Sequence, residues 1–215
     1  MRDVVRTAFM CVAALCSSAA AQGQGDKAQA ILPMLKQGGY VIVLRHGATD
    51  ASQSDVYPLN ETDMSKQRQL SGPGREAARQ IGAALSRAGI PIGQVYTSRL
   101  NRAVETGRLI SGKDVTRTAD LNDSSAGSAS AMAGQSGGGS ARHGEALRRM
   151  AATPPAAGTN TLVVTHKTNV ADAFGKDLAD IAEGEAVVFK PEGGQGTVVA
   201  RVKADAWGGA ASGTR

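Results

Sequence analysis

The octapeptide YVIVLRHG, residues 40–47, carries the strongest fold signal in the chain. Residues 40–44 form a continuous apolar run rich in β-branched side chains, which is typical of a strand buried on both faces of a sheet. A second run of this kind, TLVVT, occupies residues 161–165. His46 follows closely after the first run, and His166 directly follows the second. Two strands of this type indicate an open sheet with functional groups at the carboxyl ends of its strands.

The segments around these two strands alternate between helical and extended patterns. Residues 30–37 have helical spacing, and an amphipathic helix runs from Pro73 to about Ala88. The other predicted elements are a strand at 94–97, a helix capped by Ser98 that runs to about residue 110, a strand at 115–118, helices at 145–152 and from near Thr168, and strands at 186–189 and 197–202 around a loop at 191–196. We therefore predict an α/β fold of three layers, a mainly parallel sheet with helices on both faces and a C-terminal β-hairpin.

The N-terminus has the layout of a secretory signal peptide. Arg2 and Arg6 precede the mostly apolar residues 7–15, and small residues follow as far as Ala21. The apolar part is too short to span a bilayer. We therefore expect residues 1–21 to be removed and the protein to be exported, to the periplasm or the extracellular medium. Both cysteines would leave with this segment, so the mature chain would contain no disulfide and no thiol nucleophile.

Composition narrows the possible function classes. With 41% hydrophobic and 20% charged residues in 215, the chain has the values of a globular protein. Aromatic residues make up only 3%, which argues against a stacking surface for single-stranded nucleic acid. We therefore expect no nucleic-acid partner. The three histidines lack the close spacing of metal ligands, so we expect no metal ion, and we expect no other cofactor. The predicted organisation is a signal peptide at 1–21, a polar leader and N-terminal helix at 22–37, one main domain at 38–207 with a flexible Ser/Ala/Gly loop at 124–140, and a flexible tail at 208–215.

Three of the predicted strands end in residues suited to binding an anion. Arg45 and His46 follow the first strand, Arg102 lies just past the strand at 94–97, and His166 follows a third. Guanidinium groups bind phosphate oxygens bidentately, and nearby arginines keep an imidazole neutral and therefore nucleophilic. The same positive charge stabilises a phosphoryl group during transfer. The pattern predicts phosphoryl transfer through a phosphohistidine, without a metal ion.

The order of these motifs resembles that of the histidine phosphatase (phosphoglycerate-mutase-like) superfamily. Beside RHG at 45–47, the resemblance rests on LSGPG at 70–74, SRLNRAVET at 98–106 and VTH at 164–166. The resemblance covers residues 38–203 and implies the α/β fold of this superfamily. It also implies that His46 is the nucleophile that becomes phosphorylated. The remaining members of the phosphate pocket would be Arg45, Arg102 and His166.

The resemblance implies a carboxylate proton donor after the third strand, often in a Leu-x-Glu setting. Here the segment reads ADLND at residues 119–123, so Asp123 is the best match and Asp120 the alternative. His143 and Glu145 are more distant candidates. Thr49 either lines the pocket or caps a turn.

The resemblance is closest to a compact exported phosphatase. Acid phosphatases and phytases of the superfamily typically show His-Asp where this chain has His166-Lys167, and the mutases are cytosolic. We therefore expect an exported phosphomonoesterase that acts on a small phosphorylated substrate, with no integral membrane segment in the mature chain. Neither the substrate nor the oligomeric state follows from the sequence. Lys167 and the polar segment 50–69 either shape substrate access or carry solvated charges.

Two other hypotheses are compatible with the sequence. The first is a phosphate-ligand binding module on the same fold with little catalysis, suggested by the short candidate acid and by the Ser/Ala/Gly stretch. The second is a serine hydrolase, because GQSGG at residues 134–138 fits the G-x-S-x-G pattern around Ser136. That pattern requires a strand before it and a helix after it, and the residues before it predict no strand.

Overall fold

The computed structural model describes residues 30–57, 59–125 and 138–207. The predicted signal peptide, polar leader and C-terminal tail lie outside these residues, as does Ser136. None of the helices within the described ranges is long and apolar enough to cross a membrane.

A six-stranded mixed sheet runs through the centre of the described chain, in the order β3-β2-β4-β1-β5-β6. Its parallel part pairs β1 with β4, β4 with β2, and β2 with β3. At the other side β5 runs antiparallel to both β1 and β6. The strands are β1 (Val41–Arg45), β2 (Ile92–Thr97), β3 (Thr116–Arg117), β4 (Asn160–Thr165), β5 (Ala186–Glu192) and β6 (Gln195–Val202). The predicted α/β fold class with its C-terminal hairpin is confirmed.

Helices cover both faces of this sheet. The side chains of β1 alternate, so that Ile42 and Leu44 pack on one face and Val41 and Val43 on the other. The first face is covered by helices α1 (residues 30–37), α2 (Gly72–Arg87) and α3 (Asn101–Ser111), and the second by α4 (Gly138–Ala152) and α5 (Lys167–Phe174). The strands β1 and β4 therefore lie between two apolar layers, as the apolar runs at 41–44 and 162–164 predict.

Two helix starts differ from the predictions. Helix α3 begins at Asn101 after Leu100, and the Ser98 side chain does not cap it but contacts His166 instead. Helix α4 begins at Gly138 rather than at Glu145, so the predicted loop at 124–140 overlaps the first turn of a helix. The small residues there conceal the helical period, because glycine and alanine give little hydrophobic contrast.

The C-terminal hairpin is tighter than its sequence suggests. Its turn consists of Gly193 and Gly194 alone, both with positive φ, of 57° and 77°. Two residues with this backbone match the twist of the flanking strands, so the pairing continues up to the turn. Pro191 lies within β5 opposite Gly196, beyond the last β1 partner of β5 at Phe189. The prediction of a loop at 191–196 was wrong because proline is tolerated where a strand is paired on one side only.

The start of α2 holds the turn that follows β1. Ser71 caps the helix by accepting a hydrogen bond from the Gly74 N–H at 3.0 Å, and its own N–H donates to the Ala48 carbonyl at 2.9 Å. A Cβ atom at Gly74 would lie only 2.0 Å from the Ala48 carbonyl oxygen. Glycine is therefore required at position 74 for this close approach. The contact fixes the backbone just after His46.

Candidate active site

His46 lies directly after β1 and is only 2% exposed. Its Nδ1 lies 2.9 Å from the Gly47 carbonyl oxygen, and because a carbonyl only accepts, Nδ1 carries the proton in the neutral ring. The lone pair is then on Nε2. Burial lowers the pKa of His46 to about 3, and the positive charges of Arg102 and Arg45 add to this, against an opposing effect of the Gly47 hydrogen bond. His46 is therefore a neutral imidazole with a free Nε2 lone pair near neutral pH.

His166 follows β4, the neighbouring strand, and its ring centroid lies 5.1 Å from that of His46. Its Nε2 is 2.8 Å from the Ser98 hydroxyl oxygen, which fixes the orientation of the ring. Its Nδ1 is buried, 3.8 Å from the nearest oxygen of Asp123, and has no hydrogen-bond partner among the described residues. Burial and the neighbouring His46 hold the pKa of His166 well below its ordinary value, while Asp123 opposes this shift.

Arg102 lies in the first turn of α3, and its side chain is fully buried. Its Nη1 donates to a carboxylate oxygen of Asp55 at 2.9 Å. Its Nη2 lies 3.6 Å from Asp123 Oδ2, too far for a hydrogen bond. Within the described chain, both Nε and Nη2 lack a hydrogen-bond partner. These two atoms form one edge of the guanidinium, the edge that binds an oxyanion in the bidentate manner.

Arg45, the last residue of β1, is held in a similar way. Its Nη1 donates to the Ile181 carbonyl at 2.9 Å, and its Nη2 lies 3.5 Å from Glu183 Oε1. Thr49 donates to the same Glu183 oxygen at 3.0 Å, so it supports this arginine rather than capping a turn. Burial lowers the pKa of Arg45 and Glu183 opposes this, yet a guanidinium stays protonated in proteins. The Nε of Arg45 is buried without a hydrogen-bond partner in the described ranges.

The unpartnered polar atoms are concentrated in this cluster. Across the described residues, seven buried side-chain nitrogen or oxygen atoms lack a hydrogen-bond partner. Four of them are Arg45 Nε, Arg102 Nε, Arg102 Nη2 and His166 Nδ1. Because a buried unsatisfied donor is costly, such a concentration indicates a ligand that accepts several hydrogen bonds. An oxyanion with three or more oxygens, such as a phosphoryl group, has the required charge and acceptors.

Of the two aspartates considered as proton donors, Asp123 joins the cluster. Its Oδ1 accepts hydrogen bonds from the Thr168 hydroxyl at 2.7 Å and from the Ser125 N–H at 3.0 Å, while its Oδ2 faces Arg102 and His166. Burial alone would raise the pKa of Asp123, but His166 and these hydrogen bonds outweigh it and hold the pKa well below its usual range. Asp123 is therefore a carboxylate in the ligand-free site.

The two other candidate carboxylates pair with arginines that are not part of this cluster. Asp120 forms an exposed ion pair with Arg142 at 3.8 Å. Glu145 is exposed on α4 and pairs with Arg149 at 2.8 Å. His143 lies on the same helix and is half-buried, and its Nδ1 has no hydrogen-bond partner among the described residues. Lys167 is exposed at the start of α5.

Sequence reasoning missed three contributors to this cluster. Ser98 was assigned to a helix cap, although its place inside the 98–106 motif was a signal. Asp55 was seen only as one charge in a polar segment, and Glu183, between Ile181 and β5, belongs to no motif. Their contacts join segments far apart in the chain, Asp55 to Arg102 and Glu183 to Arg45, which no local pattern encodes.

Part of the chain matches the model of a known protein family. The model of the histidine phosphatase superfamily (branch 1) matches residues 41–136, less than half of the chain. A search of curated protein sequences finds no match. Over these residues the chain is similar to that family.

Solved structures share the fold at low sequence identity. The protein histidine phosphatase SixA, solved as a tungstate complex, is similar with a TM-score of 0.51 and 17% identity, over 77% of this chain and 97% of that one. The phosphoserine phosphatase of Entamoeba histolytica, solved with 3-phosphoglyceric acid, also has a TM-score of 0.51, with 14% identity over 78% of this chain and 98% of that one. At these identities the likeness shows a common fold.

Proposed function

We propose that the protein is a phosphomonoesterase that acts through a phosphohistidine on His46. The observation that carries this proposal is the set of four buried, unpartnered nitrogens on Arg45, Arg102 and His166 beside a neutral imidazole. The guanidinium donors of Arg45 and Arg102 suit a phosphoryl group, and the imidazole of His46 supplies a nucleophile at the same place. The match to the histidine phosphatase family model supports the same reaction class.

The proposed reaction has two steps that regenerate the site. In the first, His46 Nε2 attacks phosphorus, the bond from phosphorus to the ester oxygen breaks, and that oxygen leaves as an alcohol with a proton from Asp123. In the second, water attacks the phosphohistidine, its proton passes to Asp123, and the electron pair of the broken P–N bond returns to Nε2. Arg45 and Arg102 stabilise the charge on the transferred group in both steps.

The charge state of Asp123 constrains how the proton arrives. Because Asp123 is ionised in the ligand-free site, the proton it donates must enter with the substrate or be taken up on binding. An ionised Asp123 with a phosphate monoanion carries the same number of protons as a protonated Asp123 with a phosphate dianion. The two routes therefore give the same pH dependence of kcat/KM. The productive complex holds one proton more than the separate carboxylate and dianion.

This proton count predicts the pH profile that tests the proposed function. For an alkyl phosphate, kcat/KM should fall by about tenfold per pH unit above the second phosphate pKa of about 6, because the monoanion disappears. On the acid side activity should persist until the pH approaches the His46 pKa of about 3, where the nucleophile becomes protonated. The measurement is release of inorganic phosphate from a panel of alkyl and sugar phosphates across this range, with a chelator present.

Two results of that assay would contradict the proposal. One is a value of kcat/KM that rises steadily into alkaline pH, since this would exclude a proton delivered by Asp123. The other is activity that disappears with the chelator, since the proposed steps use no metal ion. Binding of phosphate without any turnover would identify the phosphate-ligand binding module instead.

We also propose that the protein is exported. The basic, apolar and small-residue order within residues 1–21 supports this, and that segment lies outside the described residues. N-terminal sequencing of the protein recovered from its native host should find Gln22 as the first residue. Recovery of the intact N-terminus from the cytoplasm would contradict export.

A further inference from the structure

Asp55 occupies an unusual position for a residue of an irregular polar segment. Its side chain is only 9% exposed, although most of its neighbours in the segment 50–69 are solvent-exposed. One carboxylate oxygen, Oδ1, accepts hydrogen bonds from the Arg68 N–H at 2.8 Å and from Arg102 Nη1 at 2.9 Å. The carboxylate is thus anchored to its own segment and at the same time holds a fully buried arginine.

The contact with Asp55 leaves a particular part of Arg102 free. A guanidinium has one edge made by Nε and Nη2, and Nη1 lies outside that edge. Asp55 engages only Nη1, while Nε and Nη2 are buried and unpartnered among the described residues. An oxyanion at that edge would receive two parallel hydrogen bonds without displacing Asp55. Asp55 therefore does not compete with a phosphoryl group for the free edge.

We propose that Asp55 is a positioning residue of the phosphate pocket, which holds Arg102 so that its Nε and Nη2 edge faces the phosphoryl oxygens. The proposal rests on the proposed function of the pocket. It assigns Asp55 no contact with substrate, and its effect reaches the phosphoryl group through Arg102. Glu183 has a comparable position beside Arg45, but at 3.5 Å its contact is looser.

The reason a second carboxylate is needed lies on the other side of Arg102. Asp123 Oδ2 is 3.6 Å from Nη2, so it attracts the guanidinium without forming a hydrogen bond to it. Without Asp55, Arg102 would be a buried cation with Asp123 as its remaining ion-pair partner in the described chain. Arg102 and Asp123 would then move together. Asp123 would occupy the Nη2 side of the guanidinium and would no longer be available as the candidate proton donor. Asp55 keeps Arg102 and Asp123 apart.

The test measures binding of inorganic phosphate to the full mature chain by calorimetry, independently of turnover. Asp55→Asn keeps the size and an acceptor oxygen for the Arg68 N–H and Arg102 Nη1 but removes the charge, and Asp55→Ala removes the charge and the acceptor. We expect the Kd for phosphate to rise by about 10- to 100-fold, as for other residues that orient a ligand-binding group, with the larger rise for Asp55→Ala. The matched control is Asp50→Asn in the same segment. The Asp50 carboxylate accepts hydrogen bonds from Ser52 and Gln53, so we expect this variant to leave the Kd unchanged.

A double-mutant cycle separates positioning from a general loss of structure. In an Arg102→Lys background the bidentate edge is absent, so Asp55→Asn should add less than about a twofold further loss in phosphate affinity. A structural role alone would lower the unfolding temperature and would weaken binding equally in both backgrounds. Thermal unfolding of each variant is therefore recorded beside the binding measurement.

The outcomes distinguish this inference from the proposed function. If the wild type binds phosphate and Asp55→Asn binds it equally well or more tightly, Asp55 does not position Arg102. Equal losses in the two backgrounds would also overturn the proposal. A folded wild type that binds no phosphate would overturn the phosphate pocket itself, and the role of Asp55 with it.

Discussion

Replacing His46 with alanine should abolish turnover of phosphomonoesters, with a loss in kcat of at least about 10⁴-fold, as found when other covalent nucleophiles are removed. The reason is that His46 is a neutral imidazole whose Nδ1 proton is directed at the Gly47 carbonyl, which leaves its Nε2 lone pair available for attack beside Arg45 and Arg102. The wild type should also accumulate acid-labile phosphate on the protein when mixed rapidly with substrate, and the variant should not. Quenched-flow labelling with radioactive substrate measures both quantities.

The matched control for His46→Ala is His143→Ala. His143 is the third histidine of the chain, half-buried on α4, and the proposed reaction does not use it. Its replacement should leave kcat within about twofold of the wild type, within the range of substitutions remote from chemistry. Phosphatase activity that survives in His46→Ala and requires a metal ion would show that the phosphohistidine mechanism is wrong.

Replacing Asp123 with asparagine should reduce kcat by about 10²- to 10⁴-fold for an alkyl phosphate, the usual contribution of a general acid. The loss should be much smaller for nitrophenyl phosphate, because nitrophenolate leaves without a proton. Asparagine keeps the acceptor for Thr168 and Ser125, so the loop geometry is preserved. Steady-state kinetics with both substrates, wild type beside variant, measure this dependence on the leaving group.

Asp120→Asn is the control for the Asp123 variant. It removes a carboxylate from the same segment, but one that pairs with Arg142 at the surface. We expect its kinetics to match those of the wild type with both substrates. A large loss in Asp120→Asn, or equal losses for the two leaving groups in Asp123→Asn, would assign the proton transfer to another group.

The sequence predicts the parts of this protein that depend on local pattern. The strands β1 and β4 have apolar centres, residues 41–44 and 162–164, because both of their faces are covered, and these runs make them recognisable. The residues at their ends, His46 and His166, could be placed together because parallel strands align their carboxyl ends. The α/β class and the two central strands with a histidine after each therefore followed from the sequence, whereas the order of the strands did not.

Features that depend on contacts between distant segments could not be predicted. Asp55 reaches Arg102 from an irregular segment that has no period, and Glu183 reaches Arg45 from the chain preceding β5. The start of α4 was missed because its first residues are small. Ser98 is predicted to cap a helix because serine often does so, whereas its hydroxyl forms a hydrogen bond with the buried His166.

The register between β1 and β4 sets the width of the pocket. Arg45 is aligned with Thr165, and the His46 N–H donates to the Thr165 carbonyl at 3.0 Å, so the two histidines leave adjacent strands at the same level. Their separation is thus fixed by the peptide spacing of a sheet core and not by the packing of mobile loops. For the proposed phosphoryl transfer, a preorganised frame of this kind keeps the reorganisation free energy low, because His46 and His166 lie side by side without domain closure. Substrate choice can then diverge through the surrounding loops while the reacting geometry stays constant.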